Sequence, residues 1–320
     1  MFYKFYLKCL ALAIAALLAL PAVGQSGHAL AGAMDASVFD TPEEAAAALV
    51  DVARNRDLEG ILRILGPETE EWIISGDEVQ DEQGRERFVT AYDQKHAIEM
   101  ESDDLAVLVI GEDDFPFPFP IVRLGKGWAF DAEEGKEELL DRRIGENELD
   151  AIQVLLAIVD AQNEYSSVDR DGDGLLEYAS RFGSTEGLRD GLYWPTESDE
   201  SPSPLGPLVA EAAQEGYTPS RESVGDETAA PYHGYRFRLL SRQGAAAPDG
   251  AYDYVVGDNN IGGFAVLAYP ENYGVSGIMT LMVSHDGVVY EADLGPETQT
   301  EARAIEEFNP GDGWAEVAPQ

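Results

Sequence analysis

The chain has 320 residues, of which 61 are acidic and 21 are basic, so its formal net charge at neutral pH is −40. A field of that sign repels nucleic acid and anionic membrane surfaces, which excludes both as partners, and it attracts cations or basic partners. The same charge also has a simpler use, because an acidic surface keeps a protein soluble in a salty exterior. The length alone predicts about two domains.

The N-terminus has the pattern of a secretory signal peptide. Lys4 and Lys8 precede an apolar run from Cys9 to Leu20, and Pro21 ends this run. Small residues before Gln25 predict cleavage there, so residues 1–24 are the predicted signal peptide, with a second possible cleavage site after Ala31. The apolar run is shorter than the roughly 20 residues that a membrane span needs. We therefore expect an exported protein, periplasmic or extracellular, with no stable membrane span and, after loss of its single cysteine, no disulfide.

The predicted N-terminal half is a set of helices followed by an antiparallel sheet. Residues 25–39 are small and polar without a period, which predicts a flexible leader. Asp40 or Thr41 is placed to cap a first helix that starts at Pro42, and Asp57 to cap a second that starts at Leu58. Apolar spacing predicts a third helix from Arg85 to His96. β-prone runs predict three strands, at Leu105 to Ile110, Phe119 to Leu124 and Trp128 to Phe130. This order of elements resembles an NTF2-like or cystatin-like α+β module, which we place at residues 40–145.

The predicted C-terminal half begins with a long helix. Apolar spacing from Glu137 predicts two consecutive helices, because Gly145 interrupts the pattern and Asn147 is placed to cap the second one. We place the domain boundary there, so that the second domain covers residues 146–320.

Sheet-forming runs dominate the rest of this half. The predicted elements are a helix at Leu205 to Gly216, strands at Tyr235 to Leu240, Tyr252 to Val256, Phe264 to Ala268, Ile278 to Val283 and Val288 to Ala292, and a helix at Glu301 to Phe308. Asp286-Gly287 predicts a tight hairpin between the last two strands. A long helix packed on a four- to five-stranded antiparallel meander resembles the globular domain of type IV pilins and pseudopilins. The segment AQNEYSSVDRDGDGLLEYAS, residues 161–180, is the most pilin-like, although no apolar assembly spine precedes the helix.

Several segments are too idiosyncratic to reflect generic packing. They are PFPFPIVRLGKGWAFD, RRIGENELDAIQVLLAIVDAQNEY, DGLYWP, SPLGPL, HGYRF and GGFAVLAYPENYGVSGIMT. Through these motifs, residues 40–314 resemble a bacterial family of secreted proteins defined as domain of unknown function 2950. The resemblance implies export, a two-part α+β architecture and no assigned activity.

A run of alternating aspartates is the best candidate for a chemical site. Three of these aspartates and the following Gly174 match positions 1, 3, 5 and 6 of an EF-hand loop, and Leu176 matches its apolar position 8. Position 12 falls on Ser180, so the bidentate glutamate of that loop is missing. The predicted calcium ligands are Asp169, Asp171, Asp173 and Glu177. The alternative is a glycine-rich turn whose aspartates cap neighbouring backbone groups.

No segment presents a catalytic constellation. Ser276 lies in a sequence that resembles a nucleophile elbow, but the last glycine is replaced by Ile278 and a strand follows instead of a helix. We therefore expect a non-enzymatic binding or assembly-supporting module of the cell envelope. Two alternatives stay open: a small-ligand binder or hydrolase with an N-terminal cone-shaped pocket near Trp128, Tyr92 and Asp131, and a calcium-dependent adhesion module.

Tyrosines are concentrated in the second half, where 11 of the 14 lie between residues 165 and 290. Tyrosine offers rigid amphipathic area to protein and sugar surfaces, so an envelope protein or a glycan is one candidate partner. In strands, however, tyrosines are equally ordinary core and edge residues, and we favour this core interpretation.

Overall fold

The computed structural model describes residues 37–197, 200–219 and 230–318. The predicted signal peptide and residues 25–36 of the predicted leader lie outside these ranges. Helices and antiparallel sheets are mixed along the chain, so the predicted α+β class is confirmed. Within these ranges no helix combines the length and the apolar character that a membrane crossing requires.

Short capped helices open the N-terminal half. They are α1 (Pro42–Arg54), α2 (Leu58–Leu65), a 3₁₀ turn (Pro67–Thr69), α3 (Glu70–Ile73) and α4 (Glu78–Gln94). The side chains of Thr41 and Asp57 accept the first free N–H groups of α1 and α2, as the capping pattern predicts. Helix α4 begins at Glu78 instead of the predicted Arg85, because Asp77 caps it and its first turns are too polar to show an apolar period.

The N-terminal sheet is antiparallel throughout. Its strands are β1 (His96–Met100), β2 (Leu105–Ile110), β3 (Phe115–Pro116), β4 (Ile121–Leu124) and β5 (Gly127–Phe130), in the order β1-β2-β4-β5 with β3 beside β2. Strand β1 was not predicted, because it is an exposed edge strand without hydrophobic alternation. Phe39, at the end of the predicted leader, pairs with Trp128 through two backbone hydrogen bonds of 2.8 and 2.7 Å.

Aromatic side chains fill the space between the N-terminal helices and the sheet. The ring of Phe117 lies 4.9 Å from Phe88, 5.2 Å from Phe119 and 6.2 Å from Phe130. Phe119 also meets the buried Trp72 edge-on at 5.8 Å. This half therefore has an aromatic core.

A single helix, α5 (Ala132–Tyr165), joins the two halves. The predicted interruption at Gly145 is wrong: the helix runs on for 34 residues, and the surroundings of Gly145 are open. Asn147 is not a cap. Its fully buried amide donates to the carbonyl of Ser276 at 2.8 Å and also bonds to Gln80, so tertiary partners use the groups that local capping would have used.

The C-terminal sheet consists of β6 (Tyr235–Leu240), β9 (Ala265–Pro270), β10 (Met279–Ser284), β11 (Val289–Asp293) and β12 (Ala315–Glu316), in the order β12-β11-β10-β9-β6. The hairpin at Asp286-Gly287 is confirmed as the β10–β11 connection. The predicted strand at Tyr252 to Val256 is shorter than expected, because only β8 (Tyr252–Asp253) pairs, and it pairs with β7 (Arg242–Gln243) in a separate two-stranded sheet.

Two layers cover this sheet. Helix α5 packs on one face, where Leu155 and Ile158 join Val266 and Leu281 in the core, and α6 (Gly206–Gln214) adds to the same layer. The other face is covered by α7 (Thr298–Ala304) and the fully buried Phe308. The predicted last helix is therefore displaced toward the N-terminus, and Phe308 belongs to the core after it.

Candidate metal centre and adjoining cavity

The alternating aspartates lie in the loop that follows α5. The loop leaves the helix at Ser166, and its far end is fixed to the helix by the buried Gln162. The amide of Gln162 donates to the carbonyl of Ala179 at 2.9 Å and accepts from the N–H of Ala179 at 2.8 Å. Both ends of the loop are thus held by one helical turn, which fixes its position.

Three carboxylates of this loop converge. One carboxylate oxygen from each of Asp169, Asp171 and Asp173 lies within 4.8 Å of the other two. Asp169 is half-buried and the other two are exposed. Distances of this size are compatible with oxygens that surround one hard cation, because two ligands at 2.3–2.6 Å from an ion lie at most about 5 Å apart.

The loop backbone is shaped around Asp169. Its carboxylate accepts the N–H groups of Gly172 at 2.7 Å and Gly174 at 3.0 Å, and both glycines have the positive φ that this turn requires. These hydrogen bonds lower the pKa of Asp169 from its ordinary value. The glycine-rich turn that the sequence offers as the alternative to a calcium site is therefore present. The same hydrogen bonds that form this turn also bring the carboxylates together.

Glu177, the fourth predicted ligand, is not among the three carboxylates that converge, but it carries an unsatisfied oxygen. Its Oε1 atom is buried and has no hydrogen-bond partner within the described chain. Burial raises the pKa of Glu177 above 4.5, and the neighbouring carboxylates of Asp171, Asp173 and Asp169 raise it further. Leu176 is 59% exposed, so it does not pack as the apolar position of an EF-hand loop does.

A second loop, residues 258–260, closes over the first one. The amide of Asn259 reaches Asp173 Oδ2 at 3.4 Å, and the carbonyl of Asn260 accepts the N–H of Tyr178 at 2.9 Å. Sequence reasoning missed this loop, because residues 80 or more positions apart carry no local signal of their proximity.

A cavity of about 580 Å³ adjoins the aspartate loop. The loop supplies one wall through Asp171 and Glu177, and Asp258 supplies another. Arg170 and Arg189 also line it, and their guanidinium groups lie 5.2 and 5.4 Å from the ring of Trp194. The cavity therefore combines acidic, basic and aromatic groups.

Tyr165, the last residue of α5, also lines the cavity. Its hydroxyl donates to the carbonyl of Arg189 at 2.7 Å, and Arg170 covers its ring at 4.9 Å. Burial raises the pKa of Tyr165 to about 12, so the phenol stays protonated at neutral pH.

A family model described as "Protein of unknown function (DUF2950)" matches residues 36–317. The chain belongs to this family. No curated protein matches it, and no solved structure does. Because the family description names no activity, a function for this DUF2950 protein has to be argued from the geometry above.

The residues named for an N-terminal pocket have structural partners in this DUF2950 protein. Trp128 is buried beneath the guanidinium of Arg123 at 4.4 Å, and Tyr92 stacks on His96 at 3.8 Å. The carboxylate of Asp131 caps α5 by accepting the N–H of Glu134 at 3.2 Å. Trp128 and Tyr92 both belong to the core between the N-terminal helices and the sheet, and Asp131 lies at the start of α5.

A buried polar cluster lies at the junction of the two halves, and sequence reasoning missed it. Asp77 is 1% exposed, and one of its oxygens accepts the hydroxyl of Tyr217 at 2.7 Å and the N–H of Gly234 at 3.0 Å. Next to it, the imidazole of His233 lies between the carboxylates of Asp150 at 3.5 Å and Glu215 at 3.4 Å. These groups come from widely separated segments, so no motif marks them.

Proposed function

We propose that this protein is an exported, non-enzymatic binding protein whose binding face is ordered by a calcium ion. The proposed ligands are Asp169, Asp171, Asp173 and Glu177. The observation that carries this proposal is the convergence of three carboxylates, together with a buried oxygen of Glu177 that feels their charge and has no hydrogen-bond partner in the described chain. Such an oxygen is costly to leave unsatisfied, and a cation would satisfy it.

The donor set favours calcium over other metals. All four proposed ligands offer oxygen, which selects hard cations and disfavours zinc and copper. Magnesium demands a near-ideal octahedron and keeps several waters, whereas calcium accepts six to eight oxygens in an irregular arrangement. An irregular loop with two exposed aspartates suits the less demanding ion.

Electrostatics supports the same assignment. Asp171, Asp173 and Asp169 each raise the pKa of Glu177, which means that the four carboxylates repel one another without a cation. A divalent ion between them would turn this repulsion into attraction. In the glycine-rich turn, backbone N–H groups donate to the carboxylates of Asp169 and Asp171. Each of these carboxylates keeps further lone pairs that an ion can use.

The remaining parts of the proposal concern location and architecture. Export rests on the predicted signal peptide, residues 1–24, and places the protein in the periplasm or outside the cell, where calcium is plentiful enough for weak extracellular-type sites. The aromatic core supports a scaffolding role for an NTF2-like N-terminal half. The long helix on an antiparallel sheet supports a pilin-like C-terminal half that carries the binding face toward an envelope protein or a glycan.

Thermal unfolding with calcium, magnesium or a chelator tests this function. Calcium at about a hundred times its dissociation constant adds roughly 2.7 kcal/mol to stability, which amounts to a Tm increase of several degrees. Magnesium at equal ionic strength is the control for screening, because a net charge of −40 responds to any salt.

Two isosteric variants make the test specific. Asp171→Asn and Asp173→Asn keep the oxygens that accept loop N–H groups but remove the charge, so the calcium-specific increase should disappear. The matched control is Asp113→Asn, an exposed turn residue away from the loop, which should keep the full increase. Equal increases with calcium and magnesium, or an undiminished increase in the loop variants, would contradict the proposal.

A further inference from the structure

The cavity beside the aspartate loop has the size and composition of a ligand site. Its volume of about 580 Å³ falls within the roughly 300–1,000 Å³ of small-molecule sites. Polar groups converge on it from three segments: the aspartate loop, the turn that carries Arg189 and the loop at Asp258. Packing alone does not require charged groups of both signs around one space.

The two arginines are the least expected members of this lining. The protein has only 21 basic residues, and other arginines such as Arg142 form ion pairs, in that case with Glu138 at 2.6 Å. Arg170 and Arg189 instead lie on the ring of Trp194, and within the described chain neither has a carboxylate at ion-pair distance. The Nε of Arg170 also donates to the carbonyl of Tyr165 at 3.2 Å, which helps to fix its guanidinium. The terminal N–H groups of a guanidinium held in this way can still bind an anion bidentately.

The balance of charge makes the cavity unsuitable for an anion without a cation. Two arginines face four carboxylates in the lining, those of Asp171, Glu177, Asp190 and Asp258. Asp169 and Asp173 of the same loop bring the excess to four negative charges, and a divalent ion bound there would reduce it to two. An anionic ligand is therefore expected to bind more tightly when the ion is present.

The remaining lining indicates what the anion carries besides its charge. The half-buried Tyr178 offers a ring face of the kind on which a sugar ring stacks. Asn260 and Asp258 offer amide and carboxylate groups for hydroxyls, and a calcium ion accepts hydroxyl oxygens as ligands. The ligand thus needs a carboxylate, a ring and several hydroxyl groups.

We infer that this cavity binds the uronate units of an acidic glycan, with the carboxylate on Arg170 and Arg189 and the hydroxyls toward the calcium-loaded loop. This inference rests on the proposed function and names the ligand class of the same face. A free sugar acid has the same chemistry, and the choice of probes separates the two sources.

Ligand-observed NMR titration of the purified protein tests the inference. The probes are methyl glucuronide, which mimics a unit within a chain, free glucuronate, and methyl glucoside as the uncharged control. With calcium, methyl glucuronide should bind saturably, methyl glucoside should not bind, and chelator should weaken methyl glucuronide binding. Equal binding of the glucoside would overturn the inference, and binding of free glucuronate alone would overturn the glycan assignment.

Variants at the exposed arginine make the test specific for the cavity. Arg189→Gln should weaken methyl glucuronide binding at least about tenfold, the loss expected for one charge-assisted hydrogen-bonded contact. Arg189→Lys should restore part of the affinity, because it keeps the charge without the fork. The matched control, Arg303→Gln in the exposed last turn of α7, should bind like the wild type. Unchanged affinity in Arg189→Gln would overturn the inference.

Failure of the inference and failure of the proposed function give different results. Calorimetry should show that Arg189→Gln binds calcium as the wild type does. Calcium binding without uronide binding would overturn the ligand assignment alone. Uronide binding that is equally tight in chelator would overturn the calcium dependence.

Discussion

Loss of the Asp77 carboxylate should destabilise the protein more than loss of an ordinary helix cap. Asp77 caps α4 through Gln80 at 3.1 Å, and it also accepts the Tyr217 hydroxyl and the Gly234 N–H from the other half of the chain. Asp77→Ala removes a cap, about 1 kcal/mol, and leaves two buried donors unsatisfied, about 1–3 kcal/mol each. The sum is about 3–7 kcal/mol, above the usual range for point substitutions.

Urea denaturation at neutral pH measures this loss, with Asp57→Ala as the matched control. Asp57 also caps a helix, through Gly60 at 2.9 Å, but its side chain is 43% exposed and, among the described residues, makes no bond to the other half. Its replacement should cost about 1 kcal/mol. A similar small loss in Asp77→Ala would show that the junction bonds contribute nothing, and would refute the reasoning.

A double-mutant cycle isolates the bond across the junction. Tyr217→Phe removes the hydroxyl and should cost about 1.5–3 kcal/mol, since its acceptor is a carboxylate. In the double variant with Asp77→Ala the orphaned hydroxyl no longer exists, so the combined loss should be smaller than the sum by about 0.5–3 kcal/mol. Strict additivity would contradict a direct bond.

Two further predictions concern α5. Gly145→Ala should stabilise the protein by up to about 1 kcal/mol, because the site is open and in a helix interior. Gly135→Ala should destabilise it by about 1–3 kcal/mol, because the added Cβ would collide with Phe119. Calorimetric Tm values check both variants, and a reversed order of the two Tm values would contradict the packing. Burial raises the pKa of Asp150 above 3.8, the value in the unfolded chain; His233 opposes this shift and nearby glutamates add to it. The protonated Asp150 therefore stabilises the folded protein below pH 3.8, and this stabilisation is lost as the pH rises through the folded-state pKa. Asp150→Asn should therefore gain stability relative to the wild type as the pH rises from below 3.8 through the folded-state pKa of Asp150. Urea denaturation over a pH series measures this gain, and parallel pH profiles for the two proteins would contradict it.

Local signals in the sequence predicted much of the fold. Thr41 and Asp57 cap helices as expected, and the strands at Leu105–Ile110 and Tyr235–Leu240 have the predicted bounds. These features depend on residues a few positions apart, which is why patterns reveal them. The Asp286-Gly287 hairpin belongs to the same group.

Features that depend on distant partners were missed or misread. Asn147 resembles a cap, but Ser276 and Gln80 take its hydrogen bonds, so α5 continues through Gly145. The aspartate loop was predicted in part. Its carboxylates converge within one short segment, which the spacing of the aspartates indicated. The contacts of Gln162 and Asn259, which position the loop, have no signature in the sequence. Tertiary contacts decide such positions, and a single sequence does not encode them locally.

Calorimetric titration of the ion-free protein with calcium tests the calcium centre most directly. Saturation at one ion per chain is predicted, with a dissociation constant between about 10⁻⁷ and 10⁻³ M, the span of sensor and extracellular calcium sites. The double variant Asp171→Asn/Asp173→Asn should show no saturable heat, and magnesium should not reproduce the wild-type isotherm. An isotherm that is unsaturated, or the same for both metals and for the double variant, would contradict the account and leave the loop as a capped turn.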